Sequence, residues 1–408
     1  MSSVPGHRED GRRRTRGAGL AQRGRVARGA CVALVTLTAC APDAPVEGPP
    51  RLDPATSLAG VPDSGFQRAL EPRPFRFPED HGPHPDFRTE WWYVTANLRT
   101  DAGEELGLQF TLFRSALAPP GGDEIPGASP WATRQAYMAH LALADVAAGR
   151  FRSWERFGRG AAGIAGAEAT PRFRVWLDDW TLSSVQATGP GAGGVFPLAL
   201  RATTDSVDID LTLEQGRPLV LQGEDGLSRK GDAPGQASYY YSFTRMPVRG
   251  RIRTPRGLLA VDGVAWMDRE WSTSVLSDDQ EGWDWFALHL PDGRDLMLFE
   301  LRARGGPPRV DGTLVAPDGG SRAVAPGDVT LDVLERWESP DGAVYPAGWR
   351  IRIASADVDV TVRPLLADQE LRHAFRYWEG AVAVEDAAGR SGRGYVELTG
   401  YAGRPLQR

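Results

Sequence analysis

The chain of 408 residues contains two cysteines, Cys31 and Cys40. Both fall in an N-terminal leader, so the remaining chain is expected to have no disulfide, no cysteine-based metal site and no thiol nucleophile. Lysine is almost absent: Lys230 is the only one among 47 basic residues. Beyond the leader the chain is acidic and has no basic run, which argues against a nucleic-acid partner. No Gly-x-Ser-x-Gly elbow occurs, so a serine hydrolase of that type has no support. The glycine-rich stretch Gly158–Gly166 lacks both the lysine and the preceding strand of a phosphate-cradling loop. Convincing helical stretches of more than three turns are also scarce, and Ala367–Arg372 is a candidate for a short helix. Stability must therefore come from buried β-structure, for which the chain is long enough.

The leader itself is informative. Eight arginines and two acids lie in residues 1–40, ahead of and around a short apolar run from Ala30 to Leu37. That run is too short for a permanent membrane span and reads as an export signal. It ends in Leu37-Thr38-Ala39-Cys40, a lipobox-like sequence in which the Cys40 thiol would accept lipid and become the new N-terminus. Removing the leader leaves 39 basic against 51 acidic residues, a net charge of −12. Ala41 follows the cysteine where an aspartate would argue for inner-membrane retention, so the expected location is the outer membrane, facing the periplasm. Residues 41–74 are rich in proline and are expected to be a tether.

Beyond the tether, a hairpin pattern occurs twice. Glu90 to Arg114 and Trp283 to Arg302 each contain an aromatic-led strand, a turn with aspartate and glycine, and a second apolar strand ending in arginine. Asp-Gly between alternating apolar runs is a strong hairpin signal, since glycine supplies the positive φ of a tight turn. Alternation continues through Ala139, Leu141 and Leu143, Tyr239, Tyr241 and Phe243, and Val358, Val360 and Val362. The two halves also end alike, in Trp266-x-Asp268 and Tyr395-x-Glu397, units that place ring and carboxyl on one face of a strand. The repeat predicts an all-β protein of two related antiparallel domains, residues 75–275 and 276–408, divided in the acidic turn after Ser272. Gly158–Ala169, Gly189–Gly194 and Ser228–Ser238 read as loops.

Glu90-Trp91-Trp92-Tyr93, Gln109–Arg114, Ala139-His140-Leu141-Ala142, Trp266–Ser272 and Tyr377-Trp378-Glu379-Gly380 together resemble the AttH-like proteins. These are related to carotenoid 1,2-hydratase (hydroxyneurosporene synthase), and the resemblance covers about Phe75 to Arg404. It implies two lipocalin-like β-barrels packed together. In the hydratase branch the matching block carries Tyr-x-Asp with a catalytic aspartate; here the acid is Asp268 and Trp266 replaces the tyrosine.

Adding water to an isolated alkene needs a positioned acid, stabilisation of a cation and an ordered water. A carboxyl against aromatic rings has its pKa raised by desolvation. Asp268, between Trp266 and Trp271, fits that requirement, and indole faces stabilise a cation by roughly 1–2 kcal/mol in a dry site. Glu90, His140 and Glu270 are candidates to orient water or accept a proton. Trp266, Trp271, Trp91, Tyr239 and Tyr241 are candidate ligand contacts. The bland alternative is that Asp268 closes a barrel through an arginine such as Arg114 or Arg269. His81 and His84 with Asp80, Asp86 and Glu90 have metal-ligand chemistry, but they sit in a proline-rich entry loop and no metal or other cofactor is expected. Two functions stay open: hydratase-like acid catalysis on an isoprenoid or lipid, or non-catalytic lipid binding by a membrane-anchored accessory of an ABC-type export transporter.

Overall fold

The computed structural model describes residues 65–121, 132–273, 276 and 279–402. The expected export signal and lipidated Cys40 lie outside the described residues. Residues 65–74, expected as tether, lie against the first barrel. Ala69 is buried, the Gln67 amide donates to the Asp86 carbonyl at 2.9 Å, and Thr273 Oγ1 donates to the Gln67 carbonyl.

The first sheet contains β1 (Thr89–Thr100), β2 (Glu105–Ala116), β3 (Gln135–Asp145), β4 (Arg150–Arg159), β5 (Ala165–Glu168), β6 (Arg174–Leu177), β7 (Trp180–Ser184), β8 (Leu198–Thr203), β9 (Asp208–Leu213), β10 (Val220–Leu221), β11 (Leu227–Arg229), β12 (Ala237–Thr254) and β13 (Gly257–Ser272). The second contains β14 (Gln280–His289), β15 (Asp295–Ala303), β16 (Arg309–Val315), β17 (Ser321–Val324), β18 (Val329–Glu338), β19 (Val344–Ile353), β20 (Val358–Pro364), β21 (Glu370–Arg372), β22 (Arg376–Asp386) and β23 (Ser391–Leu398). Every pairing is antiparallel. In the first sheet the order runs β4-β3-β2-β1-β13-β12-β9-β8-β7-β6-β5; in the second it runs β17-β16-β15-β14-β23-β22-β20-β19-β18. These are two lipocalin-like β-barrels, one nearly closed and the other a half-barrel.

Both repeated hairpins form. Gly103 (φ 81°) turns β1 into β2, and Gly293 (φ 89°) turns β14 into β15. In each barrel the leading strand of that hairpin pairs with the barrel's last strand, β1 with β13 and β14 with β23. This shared closure is what the repeat encodes.

Parity divides the side chains. Trp92, Val94 and Met267 point into the first barrel, and Phe286, Leu288 and Val396 into the second. Both interiors are packed with large side chains, including Trp180 and Trp349. The opposite faces of the same strands meet in a third apolar cluster, where Tyr93, Tyr240 and Trp266 of the first barrel join Trp285, Phe299 and Tyr395 of the second. Tyr93 and Trp285 contact edge-to-face at 5.1 Å between centroids. Buried polar links cross the same seam: Asn97 Nδ2 donates to the Gly394 carbonyl at 3.1 Å, and Arg217 and Arg245 both reach Asp295. The barrels are therefore joined by a core of their own.

Gly107 of β2 marks the closest approach. A Cβ there would lie 2.5 Å from the Ala381 Cβ and 2.7 Å from the Tyr395 hydroxyl. Gly107→Val should lower stability by about 1–3 kcal/mol, the usual cost of overpacking. Thermal melting checks this; an unchanged midpoint would show that the seam can yield.

Two local expectations change. Ala367–Arg372 is not helical, because its polar side chains are committed elsewhere. Gln369 Nε2 bonds the Leu366 and Ala381 carbonyls, while Glu370 accepts from Arg376, Ser339 and Tyr345, so residues 370–372 extend beside β22. Gly158–Ala169 is not all loop, since its ends complete β4 and form β5. Gly166 gives the Trp176 ring room to lie against the backbone, where an added Cβ would sit 2.6 Å from it.

Candidate functional site

Between the barrels lies a cavity of about 250 Å³. Its wall is mainly aromatic, with Trp91, Tyr93, Trp283, Trp285, Phe299 and Tyr377 among the lining residues. Three carboxyls and one lysine stand out against that apolar wall: Asp268, Glu270, Glu397 and Lys230. The strands deliver them by simple alternation. On β13, Trp266, Asp268 and Glu270 face the seam, while Met267, Arg269 and Trp271 face the barrel interior.

Asp268 is held by three donors. Tyr240 Oη donates at 2.7 Å, Ser242 Oγ at 2.5 Å and Trp266 Nε1 at 2.7 Å. No arginine pairs with it among the described residues; Arg114 and Arg269 are bound to Glu90 instead. Burial is the dominant influence and pushes its pKa up to about 7, opposing the three hydrogen bonds, with Glu270 adding to the rise. A carboxyl of this kind carries a proton over much of the neutral range and can give it to a substrate. Glu270 beside it accepts from Ser238 Oγ and pairs with Lys230 Nζ at 3.3 Å. The Lys230 ammonium stands 4.2 Å from the Phe299 ring centre, so the chain's single lysine is clamped between the barrels.

His140 and Trp91 also reach the cavity. His140 Nδ1 is 2.7 Å from the Tyr377 hydroxyl, and its Nε2 is 3.0 Å from Glu155. Glu90, Trp271, Tyr239 and Tyr241 do not join this group. Glu90 is fully buried on the other face of β1, between Arg114 and Arg269, with His84 Nδ1 at 3.1 Å. Burial works to raise its pKa, but the two guanidiniums win and hold it well below the usual carboxylate range. Trp271 stacks on His84 at 3.8 Å inside the first barrel, where Tyr239 and Tyr241 also lie. Asp80 is occupied by Arg73 and His84, so the entry loop is an ion-pair plug.

The most prominent residue outside the sequence-predicted site is Glu397. It lines the cavity, accepts from Trp283 Nε1 at 2.7 Å, and burial raises its pKa to about 7. The signal was present in the paired endings Trp266-x-Asp268 and Tyr395-x-Glu397. Register makes the equivalence explicit: Asp268 lies between Tyr93 and Ser242, and Glu397 between Trp285 and Glu379.

The chain matches the AttH-like family model over residues 68–401. It belongs to the AttH-like family. A solved AttH-type protein from Nitrosomonas europaea is 34% identical, with 82% of this chain and all of that chain covered and a TM-score of 0.71. Kievitone hydratase from Nectria haematococca shares the fold at 15% identity, covering 82% of this chain and 98% of its own, with a TM-score of 0.59. No curated protein matches the sequence. Among the described residues of this AttH-like protein, no helix is long and apolar enough to cross a membrane.

Proposed function

We propose that this AttH-like protein adds water across an alkene of an apolar, isoprenoid-like or lipid substrate bound in the cavity between its barrels, with Asp268 as the acid. The observation that carries this reading is a buried, arginine-free carboxyl, raised to about 7, on an aromatic cavity wall. Asp268 gives its proton to one alkene carbon, the π electrons form that C–H bond, and the tertiary cation on the other carbon faces the rings. Water then attacks the cation and releases a proton. The Trp and Tyr faces stabilise the cation electrostatically, by roughly 1–2 kcal/mol each where water is excluded. That a solved relative by fold is named a hydratase agrees with this reading.

The test is incubation of the purified protein with the isoprenoid fraction of a bacterial membrane extract in ¹⁸O-labelled water, followed by mass spectrometry. A ligand that gains one labelled water supports hydration. A ligand retained unchanged favours the second reading, lipid carriage beside an ABC-type transporter, for which the apolar cavity wall is the supporting observation. The proposed setting for either is the cell envelope, with Cys40 lipidated. Cys40→Ser should move the protein from the membrane to the soluble fraction on cell fractionation, and retention in the membrane would refute the anchor.

A further inference from the structure

Glu397, which lines the same cavity, forms a second acid pair with Glu379 behind it. They are direct cross-strand partners on β23 and β22, and no arginine, lysine or histidine among the described residues pairs with either. Glu379 is completely buried behind Glu397. One of its oxygens accepts from the Tyr93 hydroxyl of the first barrel; the other, Oε2, meets no donor if both carboxyls are ionised. An orphaned buried carboxylate oxygen beside a second carboxylate is costly. A single proton shared by the two groups removes both the repulsion and the orphan.

We propose that Glu397, sharing one proton with Glu379, is the base that accepts the proton released when water adds, opposite Asp268 as acid. This rests on the hydration reading above. Asp268 loses a proton to the alkene carbon, the attacking water forms the C–O bond, and the resulting oxonium loses its proton to the Glu397 carboxylate. Proton return from Glu397 to Asp268 through cavity water restores both groups, and no other reactant is consumed. The pseudo-symmetry of the barrels thus supplies the two halves of one acid–base pair: each barrel's last strand brings one carboxyl, and they differ because Ser242 stands beside Asp268 where Glu379 stands beside Glu397. Glu379 acts through Glu397 and is a positioning residue.

The experiment compares the parent protein, Asp268→Asn, Glu397→Gln and Glu379→Gln in the labelled-water assay, with infrared spectra of the carboxyl C=O stretch. Glu397→Gln should cut hydration at least a hundredfold, and either glutamine variant should lose the shared-proton carboxyl band. Glu379→Gln replaces the shared-proton O–H, which lowers the Glu397 pKa, by a weaker amide donor, so the acidic limb of its kcat/KM profile should move to higher pH. The groups bearing on Glu397 in that profile are Glu379, Asp268 and Glu270, with Lys230 next to Glu270 and Tyr93 next to Glu379. A purely structural Glu379 would leave the limb in place and would overturn its assignment. If Asp268→Asn is inactive but Glu397→Gln keeps parental activity, the base assignment falls and the hydration reading stands. If the parent itself hydrates nothing, both fall. Should Glu397→Gln fail to fold, Glu379→Gln and the parent's infrared titration decide alone: an unshifted limb and no shared-proton band would overturn the proposal.

Discussion

Asp268→Asn should abolish labelled-water incorporation while leaving ligand retention intact. A positioned general acid contributes roughly a hundred- to ten-thousand-fold, and asparagine keeps Oδ1 as acceptor for Ser242 and Trp266, with Nδ2 donating to the Tyr240 oxygen, but has no acidic proton to give. The parent should show the matching pH dependence. Asp268 is active when protonated, so the acid-dependent limb of kcat/KM should fall about tenfold per pH unit above about 7. Glu270, Glu397, Tyr93, Tyr240 and Lys230 surround it and shape that limb. Stability has the opposite sign from an ordinary salt-bridged carboxyl. With a folded pKa of about 7 against 3.8 in the unfolded chain, the group's contribution is complete below about pH 4 and is lost as pH rises toward 7. Asp268→Asn should therefore melt no lower than the parent at pH 8. Full activity in Asp268→Asn would remove Asp268 from the mechanism; a collapsed melting curve would show that it is structural.

Glu90→Gln should have the largest effect on stability. Among the described residues Glu90 is the one carboxylate paired with both Arg114 and Arg269, all three are buried, and Arg269 also lies 4.0 Å from the Trp92 ring centre. Removing one partner of a buried ion cluster leaves uncompensated charge and costs about 3–5 kcal/mol. That corresponds to a fall in melting temperature of about 10 °C for a barrel of this size. The depressed pKa of Glu90 contributes stability that is present above its ordinary value of 4.5 and is lost as pH falls below it. The parent should lose stability between about pH 5 and 3 more steeply than Glu90→Gln does. Parallel melting curves in that window would show that the cluster does not stabilise the first barrel.

The hairpins at Glu90–Arg114 and Trp283–Arg302 were legible because two-residue alternation and a positive-φ glycine are local properties. So was Asp268, since an acid two residues from a tryptophan on a strand must share its face. Glu270 and His140 were legible only as candidates, and the cavity is what brings them near Asp268. The placement of Glu90 failed for a definite reason: a strand exposes two faces, and motif proximity in Glu90-Trp91 does not say which face each residue takes. Trp271, three residues from Asp268, falls on the opposite face for the same parity reason. Glu397 appeared in the repeated ending but had no visible partner, because Glu379 reaches it across strands and Tyr93 reaches Glu379 from the other barrel.

Alternation, turn glycines and the internal repeat, all properties of neighbouring residues, were enough to determine an all-β chain with two similar hairpins closing on similar ends. The position of the site was decided only by tertiary structure. The barrel interiors are filled with large side chains, and the cavity arises where β1, β2, β3, β12 and β13 meet β14, β15, β22 and β23. Which carboxyls are desolvated without a counter-charge depends on that meeting, because burial and the placement of arginines are set by contacts between strands far apart in the chain.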